Sequence, residues 1–429
     1  MVYRRILIDS FRAAVAAADP AKILPQHLPG PPRGQTLVVG AGKAAASMAC
    51  AVEDHWPAAA PLDGLVITRY AHGMPTRRIR VVEAGHPVPD EAGEMAAREI
   101  LRRAGELGAD DLLLVLVSGG GSALLSLPAD GIGMADLKAT TRELLRCGAP
   151  IQDMNTVRKH LSAIQGGRLA AACRAPVVAL IISDVTGDDP THIGSGPCAP
   201  DPTTFQDTLD IFARYGVRAP AAVTDRLQRG ARGEIAETPK PGDPLFARVE
   251  NRVIAMAQQS LEAAADLFRK HGIAGAILGD SVTGEASEVA KVYAALARQI
   301  ALHGAPFAPP VALISGGECT VTIAPDAPPG RGGRCSEFLL SLAVELQGLN
   351  GIAALACDTD GIDGSEDNAG ALLLADSGPR ARAVGLNARR MLAAHDAWGY
   401  FSALGDLVVT GPTRTNVNDY RVILVGAIN

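Results

Sequence analysis

The chain has 429 residues, enough for two domains on a soft scale of roughly 100–200 residues each, with ample material for their cores. Apolar residues make up 48%, charged residues 20% and aromatic residues only 4%, with 46 Gly and 29 Pro; this describes a globular α/β enzyme-like chain and excludes disordered, collagenous and coiled-coil classes. The net charge of −6 comes without any basic block longer than pairs such as Arg77-Arg78, Arg102-Arg103 and Arg389-Arg390, which excludes a nucleic-acid footprint.

The seven cysteines are odd in number and never form a CxxC pair, which argues against a disulfide framework and a zinc site and for buried thiols in a reducing cytoplasm. Asp9 and Arg12 interrupt the first apolar run before a signal-peptide core forms, and no later run reaches ~18 residues. A soluble, cytoplasmic protein is expected.

From Tyr3 to Ala18 the residues Leu7, Phe11 and Val15 recur at helical spacing, predicting a helix that ends before Pro20 and packs on the first sheet. Next, TLVVGAGKAAASMACAV predicts a strand (Leu37–Val39), a glycine turn and an alanine-rich helix from about Lys43, the local plan of a nucleotide-type fold. The spacing Gly40-x-Gly42-x-x-Ala45 fits a permissive dinucleotide fingerprint, but Arg69 rather than an acid closes the following strand, Leu65–Thr68. A lysine at a helix N-terminus opposes the helix dipole, so Lys43 makes sense there if it faces an anion; a lysine lying along a turn is the alternative.

After a strand Ile79–Val82 and a helix from Asp90 to Leu107, the apolar run Leu112–Val117 ends in Ser118-Gly119-Gly120-Gly121-Ser122, with a helix expected from Ser122. Three glycines let a backbone close on a ligand and aim N–H groups at a phosphate or carboxylate. Met154–Ala170 reads as one helix, with Val157, Leu161 and Ile164 on one face and Asn155, Arg158, Lys159 and Ser162 on another. Asn155 and Lys159 stand four apart and could reach one anion; a solvated face is the alternative.

The central stretch, VVALIISDVTGDDPTHIGSGPCAPDP from Val177 to Pro202, begins as a buried strand and delivers Asp184 to a sheet edge, where ligand crevices of open α/β sheets lie. Asp188, Asp189, Thr191 and His192 follow, and acids so placed suit a hard cation such as Mg²⁺ arriving with phosphates. An acidic turn whose aspartates cap a helix is the other reading. Gly, Pro and charge dominate from Gln228 to Pro244, setting a boundary between domains 1–240 and 241–429.

Beyond it, strands Arg252–Met256 and Ala274–Leu278 alternate with helices Leu261–His271 and Glu285–His303. The loop PPGRGGRCSEF sets Arg331 and Arg334 among glycines before a helix, a setting in which an arginine grips a carboxylate or phosphate with two prongs. Apolar Ile352–Ala356 leads to Asp358, Asp360, Asp363 and Asp367, whose spacing is not that of an EF-hand and leaves a Mg²⁺–nucleotide role and a plain acidic turn both open. The C-terminal VVTGPTRTNVNDYRVILVG reads as two β-like runs joined by a polar loop.

Taken together, VVGAGKAAASMA, VSGGGSALL, MNTVRKHLS, ISDVTGDDPTHIGSGP, GRGGRCSEF, DTDGIDGSEDNAGA and TGPTRTNVND resemble the class II glycerate kinases, the glycerate 2-kinases whose C-terminal domain is called MOFRL. The resemblance runs from about Phe11 to Val425. It implies an α/β chain of two domains, a Rossmann-like N-terminal domain with a mostly parallel sheet and a C-terminal MOFRL-type domain, with catalysis in a cleft between them. The implied reaction is phosphorylation of D-glycerate at the 2-hydroxyl with ATP and Mg²⁺ as cofactors; separately, the charge and hydropathy patterns lead us to expect no nucleic-acid or membrane partner, and a homodimer is the expected assembly.

Matched positions assign catalysis to Lys43, Asp184 and Arg334. Ser118, Gly119, Gly120, Gly121, Ser122, Asn155 and Lys159 are expected at the nucleotide, and Asp188, Asp189, Asp358 and Asp360 at the metal. One departure stands out: Cys335-Ser336-Glu337 replaces the family's Asn-Gln-Glu, which puts any substrate contact from the first two positions in question. Relatives also bear the name hydroxypyruvate reductase, so NADPH-dependent reduction, with Arg69 meeting a 2′-phosphate, is the rival enzyme reading. A nucleotide-sensing protein without turnover is the third.

Overall fold

The computed structural model describes residues 2–323 and 330–426, which divide into two compact units, Pro20–Ile254 and Met1–Asp19 with Ala255–Asn429. The expected division at 240/241 therefore shifts in two places. Residues 228–244 are no linker: Thr238 is buried, the Pro239 carbonyl accepts from Asp201 N at 2.9 Å, and Glu237 accepts from Phe205 N at 2.9 Å. The strand expected to begin the second domain is instead the last strand of the first sheet.

In the unit Pro20–Ile254 six strands form one sheet: β1 (Thr36–Ala41), β2 (Leu62–Arg69), β3 (Ile79–Ala84), β4 (Leu112–Val117), β5 (Val177–Ile182) and β6 (Val249–Ala255), in the order β3-β2-β1-β4-β5-β6. Strands β1 to β5 run parallel, with Ala41 opposite Val117 and Val117 opposite Ile181. Every residue of β1, β4 and β5 is buried, which is why these segments read as unbroken apolar runs rather than alternating ones. Leu37, Val39, Leu113, Val115, Val177 and Ala179 turn to one face and pack with Ala97, Ile100 and Ala104 of the helix Glu91–Glu106. That helix starts where expected because the Asp90 side chain caps Gly93 N.

The long helix expected over Met154–Ala170 is broken into Ile151–Leu161 and Arg168–Ala172. The Ser162 hydroxyl accepts from both Ile164 N and Gln165 N, replacing the next helical turn. Gly166 and Gly167 then take left-handed backbone at φ 59° and 80°. The helix expected from Ser122 is a single turn, Gly121–Leu124.

The second unit is built on β7 (Ala274–Gly279), β9 (Val311–Ser315), β11 (Ile352–Asp358), β12 (Gly370–Leu373), β13 (Leu407–Val408) and β14 (Asp419–Val425), in the order β13-β12-β11-β14-β9-β7, beside a small pair of β8 (Gly284–Glu285) and β10 (Cys319–Thr320). This sheet is mixed: β14 inserts antiparallel between β11 and β9, and only β7 and β9 of the six are parallel neighbours. The first helix, Val2–Ala17, joins this unit and not the first sheet. Its stripe of Leu7, Phe11 and Ala14 packs with Leu261, Ala264 and Phe268, and Tyr420 Oη lies 2.9 Å from Ser10 Oγ.

Candidate functional site

Strand order reverses between β1 and β4, and the crevice outside the carboxyl ends of such a pair is where an open α/β sheet takes its ligands. From the end of β1, at Gly40 and Ala41, the chain turns through Gly42 and Lys43. A Cβ on Gly40 would lie 2.0 Å from Leu116 O, and one on Gly42 would lie 2.0 Å from Ser118 Oγ. Both glycines are thus required by the close approach of the β4 strand and its loop. The amides entering the helix Ala45–His55 are also taken: Lys43 N donates to Gly119 O at 2.8 Å, and Ala44 N to Ser118 Oγ at 3.0 Å. In a dinucleotide site that second glycine clears room for a pyrophosphate; here Ser118 fills the room.

Ser118 is fully buried and anchors the loop, while Gly120 sits at φ 81° with the side chains of Lys43 and His86 on either side. A Cβ on Gly120 would be 3.0 Å from His86 Nε2 and 3.4 Å from Lys43 Cγ. Lys43 and His86 therefore both approach the space that a side chain at position 120 would fill. His86 was not foreseen from sequence; its only signal is a histidine in the short polar segment between β3 and the next helix.

Ser122 continues the site inward. Ser195 Oγ donates to Ser122 Oγ at 2.8 Å, and Gln165 Nε2 donates to the Ser122 carbonyl at 2.8 Å. Asn155, buried, presents Oδ1 to Ser195 Oγ at 3.4 Å and to Arg158 Nη1 at 3.2 Å, and its Nδ2 donates to His192 O at 3.4 Å. Strand β5, paired with β4, carries Asp184 to the same carboxyl edge that bears Lys43 and Ser118.

In the loop that follows, Asp188 takes φ 53° and Asp189 accepts from Thr191 N at 3.0 Å, so Asp189 shapes the turn as well as facing solvent. Burial, and next the Lys159 charge, hold His192 below the ordinary imidazole value.

Lys159 is corrected by the structure. Its side chain is 0% exposed and its Nζ lies 2.6 Å from Asp201 Oδ1, so it is the buried half of an ion pair rather than an arm for a nucleotide. Burial alone would raise the Asp201 carboxyl, but the Lys159 charge and the hydrogen bonds from Lys159 and Thr203 outweigh it and hold it below the usual carboxylate range. The pair closes the base of the loop that carries Asp188 and Asp189.

In the second unit Arg334 begins the helix Arg334–Leu346 and is gripped by three carboxylates. Nε meets Asp419, Nη1 meets Glu318 and Nη2 meets Asp358, each at 2.8 Å. Its fork is therefore engaged within the unit, with half-exposed Glu318 the outermost partner. Asp358 Oδ1 accepts from Asp360 N and Asp360 Oδ1 from Ile362 N, so both acids build the turn. Asp363 accepts from Cys335 N, Ser336 N and Ser336 Oγ; burial nevertheless pushes its carboxyl up to about 6.

Cys335 and Ser336 are thus interior groups, one packed in the core and one capping its helix. Arg331 lies over the Trp398 ring at 4.5 Å and against Asp396. Among the described residues no group of three or more His, Cys, Asp or Glu stands in a metal-holding arrangement, so Asp188, Asp189, Asp358 and Asp360 do not form a ready-made all-protein cage. Also among the described residues, no helix is long and apolar enough to cross a membrane.

Residues 6–228 match a family described as Domain of unknown function (DUF4147), and residues 311–419 match the MOFRL family. A glycerate 2-kinase of Pyrococcus horikoshii is 39% identical over 97% of this chain and 94% of its own length. A putative hydroxypyruvate reductase of Agrobacterium vitis is 50% identical over 99% of this chain and 94% of its own. The crystal structure of glycerate kinase from Thermotoga maritima superposes with a TM-score of 0.85 at 34% identity, covering 98% of this chain and 99% of that one.

Proposed function

The chain belongs to the MOFRL-containing glycerate 2-kinase family, and we propose that it moves the terminal phosphoryl group of ATP, taken up as its Mg²⁺ complex, to the 2-hydroxyl of D-glycerate. It is a phosphotransferase acting on D-glycerate. The observation that carries this reading is the meeting of Lys43, the Gly119–Gly121 turn and Ser122 at the strand-order reversal, with Asp184 on the same edge.

Phosphoryl transfer asks a protein for position and charge stabilisation more than for covalent chemistry. The glycine turn admits phosphate oxygens close to the backbone, and the Lys43 ammonium offsets the charge that builds on the transferring group. Asp184 orients the acceptor hydroxyl and takes its proton as the new O–P bond forms and the bridging O–P bond of ATP breaks, releasing ADP. Asp188 and Asp189, oxygen donors on a solvent-facing loop, suit Mg²⁺, which keeps several waters and asks for only one or two carboxylates beside phosphates. Bound there it would neutralise phosphate charge. Asp358 and Asp360 are committed to the turn and to Arg334, and Arg334 itself is a charge-stabilising residue by its family-matched position, held in place by its three carboxylates.

The reductase name borne by the Agrobacterium vitis relative finds no support in the Gly40–Lys43 turn, where Ser118 stands in the place of a pyrophosphate. A coupled assay of ADP release tests the reading: release must depend on D-glycerate, and NADPH must not be oxidised by hydroxypyruvate. Sedimentation velocity tests the accompanying expectation of a homodimer.

A further inference from the structure

Arg158 lies on the helix Ile151–Leu161, half-buried and without a carboxylate. Among the described residues its one hydrogen bond runs to Asn155 Oδ1, and it joins no ion pair. Burial alone pushes its guanidinium below the ordinary value, with no acid to counter it. Lys159 is matched by Asp201, Arg421 by Asp419 and Arg334 by three carboxylates, while Arg168 and Arg226, also without an ion pair, each donate to two backbone carbonyls. A cation taken out of water is normally paired, so an unmatched one is a place where an anion is missing.

Arg158 also lines a pocket. Ser122, Ser126, Lys138, Ser162 and Gln165 line it with Arg158, around a cavity of about 30 Å³ that opens to solvent. Two cations and no acid face this space, and prolines and leucines complete the wall. Ser122 joins the pocket to the glycine turn, and Pro87 on its rim follows His86, which stands with Lys43 over Gly120. A guanidinium has five N–H donors, of which Asn155 takes one, and Asn155 is itself fixed by Ser195 and His192. Arg158 is thus held in orientation before any ligand arrives.

Resting on the kinase reading above, we infer that this pocket binds the carboxylate of the acceptor, with Arg158 as its two-pronged anchor and Lys138 supplying charge at the mouth. A planar carboxylate matches the guanidinium fork, and the neighbouring hydroxyls and amide suit a small polyhydroxy acid, while the narrow space is ill suited to a nucleoside.

The test compares wild type with Arg158→Gln and Arg158→Lys in steady-state kinetics, and by calorimetric titration of D-glycerate into nucleotide-free protein. Arg158→Gln is expected to raise the KM and the dissociation constant for D-glycerate by about ten- to hundredfold, with the KM for ATP within about twofold of wild type. Glyceramide, which lacks the charge, should be bound as weakly by wild type as by the variant.

Unchanged glycerate affinity in Arg158→Gln overturns the inference, as does a rise in the KM for ATP alone, which would assign the guanidinium to a nucleotide phosphate. If the glutamine variant does not fold, Lys138→Glu at the half-exposed mouth must weaken glycerate by about three- to tenfold in a salt-sensitive way, and no weakening is equally decisive. Wild type that binds glycerate through Arg158 without releasing ADP would sink the kinase reading alone.

Discussion

Gly120 and Gly233 have nearly the same φ, 81° and 76°, but opposite surroundings. An alanine at either must hold left-handed backbone, costing about 1–2 kcal/mol. At Gly233 a Cβ meets nothing within 4 Å, whereas at Gly120 it lies 3.0 Å from His86 Nε2 and 3.4 Å from Lys43 Cγ. The 3.0 Å contact must be relieved by moving the imidazole or the loop, and the lysine stem has little slack. Both substitutions should therefore lower the thermal midpoint of the protein, Gly120→Ala by at least as much as Gly233→Ala. Turnover should separate them: a shift of a few tenths of an ångström at Lys43 is expected to cost Gly120→Ala about ten- to a hundredfold in kcat, with Gly233→Ala near wild type. Melting followed by fluorescence, beside glycerate-dependent ADP release, reads both quantities. Equal kcat values in the two variants would refute the claim that the Gly120 approach sets the position of Lys43.

Lys43→Ala should depress kcat by about 10²–10³-fold with an unchanged circular dichroism spectrum, and near-normal turnover would remove the ammonium from the mechanism. Asp184→Asn should lose about 10²-fold or more and flatten the rise of rate with pH; an unaltered pH profile would exclude it as the base. Asp201→Asn strands the buried Lys159 charge and should destabilise the protein by about 3–5 kcal/mol in urea, most of it regained in Lys159→Met/Asp201→Leu. Burial alone would raise the Glu237 carboxyl, but His160, the Phe205 amide and Lys240 outweigh it and lower it to about 2. Its contribution is therefore fully present above its ordinary 4.5 and is lost as pH falls from there towards 2, so Glu237→Gln should blunt acid unfolding in that window.

The carboxyl edge of the first sheet could be read from sequence because its strands announce themselves locally. Leu112–Val117 is bounded by Asp111 and Ser118, and Val177–Ile182 by Pro176 and Ser183, so both strands were placed to the residue and with them the glycine turn and Asp184. The two α/β units and the mostly parallel first sheet followed from the same signals. What escaped was set by partners distant in the chain. Asn155 and Lys159 do share a helix face, but a carboxylate 42 residues on draws Lys159 inward, and no periodicity reveals that. Arg158, one position before it and about 100° around the helix, was passed over as part of a solvated face.

Arg334 looked poised for a ligand because its glycines are local, whereas Glu318, Asp358 and Asp419 come from three separate segments. The boundary was missed for a similar reason. Gly, Pro and charge mark residues 228–244 as loop, yet hydrogen bonds from Asp201 and Phe205 bind that loop to the first unit.

The glycerate 2-kinase assignment stands most directly on the product formed from ATP, Mg²⁺ and D-glycerate, identified by phosphorus NMR. It predicts 2-phosphoglycerate and ADP in equal amounts, with no signal from the 3-isomer. A mixture without ADP or phosphoglycerate, in protein that oxidises NADPH with hydroxypyruvate, would contradict it.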